Sequence, residues 1–172
     1  MSDDCRTLTG VAKKQRAEST PALVALRRMG VAVEVHTYEH DPRRRSYGME
    51  AAEALGLDPA RVFKTLMIDL DGSLAVAVVP VATSLDLKRA AAALGGKRAQ
   101  MADAAAAQRA TGYVLGGISP FGQKRAHPTV VDRSALEHPT VFVSGGRRGM
   151  DLEVSPADLV AATAAVTATI AR

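Results

Sequence analysis

The sequence predicts an α+β fold built on a mixed sheet. Two observations carry this. Alternating and β-branched runs fall in groups, Phe63 to Leu70 with Leu74 to Val79 and then four short runs between 113 and 154. Helical stripes stand between and around these groups rather than after every strand, so strict βα alternation is absent. At 172 residues, with 47% apolar and 23% charged residues, the chain has ordinary globular usage and enough length for one core.

Residues 1–19 show little apolar periodicity and read as a flexible extension, leaving 20–172 as a single domain without internal repeat or linker. Thr20-Pro21 reads as an N-cap followed by proline at the first helical position, with Leu23, Leu26 and Met29 as the apolar stripe and Gly30 as the stop. Val31 to Tyr38 alternates as a half-buried strand should. A loop from His40 to Tyr47 carries Pro42 and three arginines, and a short helix from Gly48 to Leu55 stops at Gly56. Asp58-Pro59 starts a turn, and Asp71-Gly72 between the next two apolar runs signals a hairpin. Ser84 or Asp86 caps a helix running through Leu94, and Asp103 caps another ending near Thr111-Gly112. Strands are expected at Tyr113–Leu115, Thr129–Asp132, Thr140–Ser144 and Leu152–Val154. Ser155-Pro156 opens a final helix with Leu159, Thr163, Val166 and Ile170 along one side.

Composition excludes several classes. One cysteine cannot form an internal bridge, which points to a reducing compartment. No apolar run approaches the roughly 18 residues of a membrane span, and no apolar signal core lies near Met1, so a cytoplasmic location is expected. The net charge is +4 and fifteen of the 22 basic residues sit beside another basic residue. Without residues 1–19 the balance is 18 basic against 15 acidic, so the basic character belongs to the domain. Clustered cations favour a polyanionic partner, although an ordinary solvated surface reads the same way. Six aromatics and no tryptophan give poor support to a stacking platform for long single strands.

Standard catalytic and cofactor motifs are missing: there is no G-x-x-x-x-G-K-[ST], no G-x-G-x-x-G and no G-x-S-x-G. Cys5 lies in the expected extension, where a nucleophile would not be held rigidly. His36 and His40 are four apart, but on a strand and the loop after it, so helical metal-ligand geometry does not apply and no metal is expected. Two glycine-rich loops each follow a strand signal, Gly116-Gly117 in one and Gly145-Gly146 in the other. They are read either as simple turns or as places where backbone N–H groups approach a ligand. Lys64 stands on an apolar strand face with Leu66 and Ile68, where a lysine either snorkels or marks a site.

In order along the chain, HTYEHD (36–41), FKTL (63–66), AVAVVPV (75–81), LDLKRAAAALG (85–95), LGGISPFGQK (115–124) and VSGGRRGMDLEV (143–154) resemble the YbaK/EbsC family of bacterial Cys-tRNA(Pro) deacylases. The match runs from about Thr20 to the C-terminus. The resemblance implies a compact mixed, β-barrel-like sheet flanked by helices. It also implies an enzyme that hydrolyses cysteine from mischarged proline tRNA in trans, without a cofactor. The expected partners are the tRNA acceptor end and prolyl-tRNA synthetase, not DNA. The family lysine maps onto Lys64, and the glycines of the G-G-I-S-P loop onto Gly116 and Gly117, which together would carry catalysis. Substrate binding maps onto Tyr38, Tyr47, Ser119, Pro120, Ser144 and Asp151. Tyr47 stands where relatives often carry phenylalanine. The family is thought to let the substrate thiol attack its own ester carbonyl, releasing tRNA and a cyclic thiolactone, which requires no protein nucleophile. Removal of another small amino acid, and non-catalytic tRNA or synthetase binding, are the competing expectations.

Overall fold

A computed structural model describes residues 19–172, so the extension expected over 1–19 lies, but for Ser19, outside the described residues. The chain runs α1 (Pro21–Arg28), β1 (Glu34–Thr37), α2 (Tyr47–Leu55), β2 (Phe63–Leu70), β3 (Ser73–Pro80), α3 (Leu87–Ala93), β4 (Ala99–Met101), α4 (Ala104–Thr111), β5 (Thr129–Asp132), β6 (Val141–Arg147), β7 (Met150–Val154), α5 (Pro156–Thr163) and β8 (Val166–Ala168). The α+β class with a mixed sheet is as expected. The strands form two sheets rather than a closed barrel: β1-β7-β6, all antiparallel, and β4-β2-β3-β5-β8, in which β5 runs parallel to β3 and β8. A single parallel bridge, Val62 to Phe142, joins the two at one corner. Among the described residues no helix is long and apolar enough to cross a membrane.

Local chemistry sets most boundaries. The Thr20 hydroxyl accepts from the Leu23 N–H, and the Asp86, Asp103 and Ser155 side chains accept from Arg89, Ala106 and Asp158. Asp71 (φ +52°) and Gly72 (φ +92°) give the doubly left-handed turn that matches strand twist, and the register runs unbroken from Phe63–Pro80 to Leu70–Ser73. The Asp71 carboxylate also accepts from the N–H groups of Lys97 and Arg98, which lays β4 beside the end of β2.

Three expectations are corrected. Residues Tyr113–Leu115 are not a strand; Tyr113 is a buried anchor whose hydroxyl donates to the Phe121 carbonyl at 2.6 Å. The last helix ends at Thr163, because Ala164 turns left-handed (φ +50°) and sends the chain into β8. The expected stripe is thereby split: Leu159 is buried on the helix, Val166 is exposed on the strand, and Ile170 enters a different cluster. Met29 is exposed at the end of α1 rather than part of its apolar face.

The principal core lies between the sheets and under α1, α4 and α5. A second cluster packs Ile68, Ala75, Ala77 and Val79 against α3 and Ile170. A third joins Ala51 and Ala52 of α2 to Val62, Val81 and Phe142.

Asp132 ties the C-terminus to the sheet. Burial pushes its carboxyl up, but bonds from Ser134 and from the Ile170 and Ala171 N–H groups, both at 2.9 Å, outweigh that and hold it below its ordinary range. Asp132→Ala should cost about 3 kcal/mol, since it strands buried donors, and lower the Tm by roughly 6–12 °C. A depressed carboxyl stabilises above its unfolded pKa and ceases to do so as pH falls through its folded one. The difference between wild type and variant in thermal melts should therefore shrink from pH 7 towards pH 3.

Candidate functional site

The site follows from an incomplete strand pairing. β4 covers β2 only from Ile68 to Leu70, and the last link is the Ala102 N–H donating to the Met67 carbonyl at 3.1 Å. At the other end the Val62 carbonyl accepts from Val81, on the β3 side. Alternation along an antiparallel strand then turns the backbone groups of Thr65 to the edge that β4 leaves open. Along this edge lies a cavity of about 450 Å³, within the size range of small-molecule sites. Its wall is mostly apolar, from Phe63, Leu66, Met67, Met101, Ala107 and Ile118 among others.

Six of the nine expected residues line this cavity: Tyr38, Tyr47, Lys64, Gly116, Ser144 and Asp151. Ser144 and Asp151 face each other across the β6–β7 ladder, and β1 places His36 opposite Asp151 on the other side. Tyr38 follows β1, its N–H donating to the Gly149 carbonyl at 2.9 Å. Tyr47 opens α2, held close by Gly116: a Cβ at Gly116 would lie 2.6 Å from the ring, and its φ of +80° independently favours glycine. Ser46 makes no side-chain cap, so the first-turn N–H groups of α2 are left without that acceptor beside the cavity.

The other three do not line it. The Gly117 N–H is donated to the Val114 carbonyl at 2.9 Å, and a Cβ there would come within 2.9 Å of the Arg147 backbone. Ser119 is fully buried, its hydroxyl accepting from the Phe121 N–H. Pro120 is buried beside it. These residues shape the loop that presents Gly116 and do not face the cavity themselves.

Electrostatically the cavity is unusual for one carboxylate. Asp151 is 6% exposed and, among the described residues, no side chain or N–H donates to its oxygens. Burial pushes it up to about 6, and the nearby His36 offsets this only in part. Burial, and then the Asp151 and Glu50 carboxylates, push the Tyr38 phenol up to about 12, so it remains an O–H donor. Burial lowers Lys64, whose ammonium donates to the Thr83 carbonyl at 2.6 Å and keeps two N–H donors. Thr65, which sequence reasoning passed over, has a buried hydroxyl with no partner among the described residues, and it lines the same cavity. Nothing at the level of sequence marks it except its place beside Lys64. Arg45 was also missed, hidden in an arginine run.

Among the described residues no histidine or cysteine lines the cavity. Elsewhere Glu34, His36 and Glu153 bring three ligand atoms within 4.8 Å, but Glu153 already accepts from His36 and Thr140 and faces Arg61, as a hydrogen-bonded ion-pair network does.

The Asp151 carboxylate is held at a cost. The gap between about 6 and its ordinary value of 3.8 corresponds to roughly 3 kcal/mol. A raised carboxyl destabilises where it is ionised, so the penalty is absent below about pH 4 and complete above about pH 6. Asp151→Asn should raise the Tm by roughly 5 °C or more at pH 7.5 and by nothing at pH 4. An equal gain at both pH values in thermal melts would count against this account.

Comparison with known proteins gives the family. Residues 42–162 match the aminoacyl-tRNA editing domain family. The chain is 32% identical over 154 residues to EbsC of Enterococcus faecalis, named as a candidate Cys-tRNA(Pro)/Cys-tRNA(Cys) deacylase, covering 89% of this chain and 93% of that one. Among solved structures, a candidate trans-editing enzyme for prolyl-tRNA synthetase superposes with a TM-score of 0.79 at 26% identity, over 90% of this chain and 98% of the other. A hypothetical protein superposes with the same score at 28% identity, over 89% of this chain and all of its own. The chain belongs to the aminoacyl-tRNA editing domain family, in its YbaK/EbsC branch.

Proposed function

We propose that the protein is a trans-editing deacylase that removes cysteine from mischarged proline tRNA. The observation that carries this reading is the Asp151 carboxylate, buried without a protein donor in a small, otherwise mostly apolar cavity. Such a group asks for a cationic ligand, and the α-ammonium of an aminoacyl ester supplies one. A cavity of about 450 Å³ admits the amino acid and the terminal sugar but not a duplex, so only the acceptor end enters.

An aminoacyl ester is already activated, so orientation and charge stabilisation do most of what is needed. Asp151 fixes the ammonium, and Tyr38 and Ser144 shape the pocket around it. The Gly116 loop lies against Tyr47 at the carbonyl, and Lys64 orients the terminal adenosine with the two protons Thr83 leaves unused. The substrate thiol then attacks its own carbonyl carbon. The C–S bond forms, the C–O bond to the ribose breaks, and the thiol proton ends on the ribose hydroxyl. A thiolactone leaves and is hydrolysed by water to cysteine. This route supplies selectivity that an apolar pocket cannot, because one methylene is worth only about 1–3 kcal/mol there. The reading places the protein in the cytoplasm, acting with prolyl-tRNA synthetase, which supplies tRNA identity.

A panel of charged tRNAs tests it. The cysteine ester should be cleaved at least 100-fold faster than the serine or alanine esters, and Lys64→Ala should lose most of that rate in single turnover. Fast cleavage of the serine ester would overturn the thiol route, and preference for alanine would reassign the substrate. Tight binding without cleavage would make the protein a binding module. Because Asp151 acts ionised, kcat/KM should rise with pH through about 6; a profile flat from pH 5 to 7 would remove Asp151 from ammonium binding.

A further inference from the structure

Two arginine runs have a member at the cavity, 43–45 in the loop before α2 and 147–148 where β6 ends and turns towards β7. They are not equivalent. Arg43 is held by Asp41 through two parallel bonds of 3.0 Å, and Arg44 pairs with Glu53. Arg45 is exposed and lines the cavity, and among the described residues it has no carboxylate partner. Arg148 likewise has no carboxylate partner. Its Nε donates to the Leu115 carbonyl at 2.8 Å, and its guanidinium lies 4.8 Å over the Tyr47 ring. Both anchors, Leu115 and Tyr47, line the cavity. Arg148 is therefore fixed at the rim with its terminal NH2 groups unused, so an anion meeting it finds a fork already ordered.

We infer that Arg45 and Arg148, the one lining the cavity and the other stacked on Tyr47 two residues further along, grip the phosphodiesters leading into the terminal nucleotide. This rests on the reading of the cavity as the aminoacyl-ester site, and deepens it by naming what holds the strand outside. The strand is held by two ionic contacts, so its capture depends weakly on salt. Arg43 and Arg44, spent on Asp41 and Glu53, hold the loop and do not touch the strand.

The test compares two cysteine esters: a charged acceptor-stem RNA hairpin, and cysteinyl-adenosine, which has no phosphate. For wild type, log kcat/KM on the hairpin should fall with log salt at a slope of about −1.4, two contacts at about 0.7 each, and hardly at all on cysteinyl-adenosine. Arg45→Gln and Arg148→Gln should each cut the slope by about half and lower kcat/KM on the hairpin about ten-fold. Their loss on cysteinyl-adenosine should be at least five-fold smaller. Arg43→Gln, folded as judged by its melt, should match wild type on both substrates. Wild-type slopes in the two variants, or equal losses on both esters, would overturn the assignment. If wild type cleaves neither ester, the deacylase reading falls instead. Anisotropy of the uncharged hairpin across the same variants then decides the arginines: a halved salt slope sustains them, and an unchanged one removes them.

Discussion

β2 is an eight-residue strand paired along its whole length on one side and along less than half of it on the other. The cause is the brevity of β4. Asp103 caps α4 two residues after β4 ends, so the chain leaves the β2 edge at Ala102 and turns into a helix. An open edge inside a domain must be covered, because buried backbone groups need partners. Here the first turn of α2, the 115–118 loop and the Ser144–Asp151 end of the other sheet stand around it without bonding it along its length. The cavity is the space this leaves, and Tyr47, Gly116, Ser144 and Asp151 owe their positions in its wall to those covering elements.

The same constraint explains why the polar groups of the site are poorly satisfied. Asp151 lies in β7 with β1 on one side and β6 on the other, so its backbone is fixed by two ladders and its carboxylate is held at the cavity wall. Thr65 is fixed likewise by its pairing with Val78, and its hydroxyl finds no acceptor. Unsatisfied groups of this kind persist only where the surrounding structure over-determines them. Two fully buried clusters, one on either face of β2, supply that rigidity. The Asp151 carboxylate and the Thr65 hydroxyl thus stand together in a pocket where a ligand with an ammonium and a carbonyl would satisfy both.

What could be read from the sequence is what local chemistry decides. Thr20-Pro21, Asp86, Asp103, Ser155-Pro156 and Asp71-Gly72 act within three or four residues, and each does so in the structure. What could not be read depends on distant partners. β4 is three residues long and exists because Asp71 recruits the N–H groups of Lys97 and Arg98. β8 exists because Ala164, with no glycine to announce it, adopts a left-handed turn. In the site, family resemblance located the motifs, but a motif mixes residues that face the ligand with residues that shape the loop. Gly117, Ser119 and Pro120 belong to the second kind, and only their hydrogen bonds and burial separate them from Gly116. The arginines are a parallel case: Arg43, Arg44 and Arg45 are indistinguishable as a run, and Asp41 and Glu53 sort them.

The scale of the cavity bears on which feature of a charged tRNA such a domain reads. On the proposed reading a pocket of about 450 Å³, with Lys64 in its wall and Arg45 and Arg148 beside it, meets the amino acid, the last sugar and a phosphate or two. None of these carries the identity of the tRNA. On the proposed reading, discrimination then resides in the amino acid, through the fit around Asp151 and the reactivity of the substrate's own side chain. A deacylase that reads only the amino acid would also attack correctly charged cysteine tRNA unless something withheld it. If the strand is gripped as proposed, its weak capture is an advantage: contact with the synthetase that made the error, rather than affinity for tRNA, would decide which esters reach the pocket.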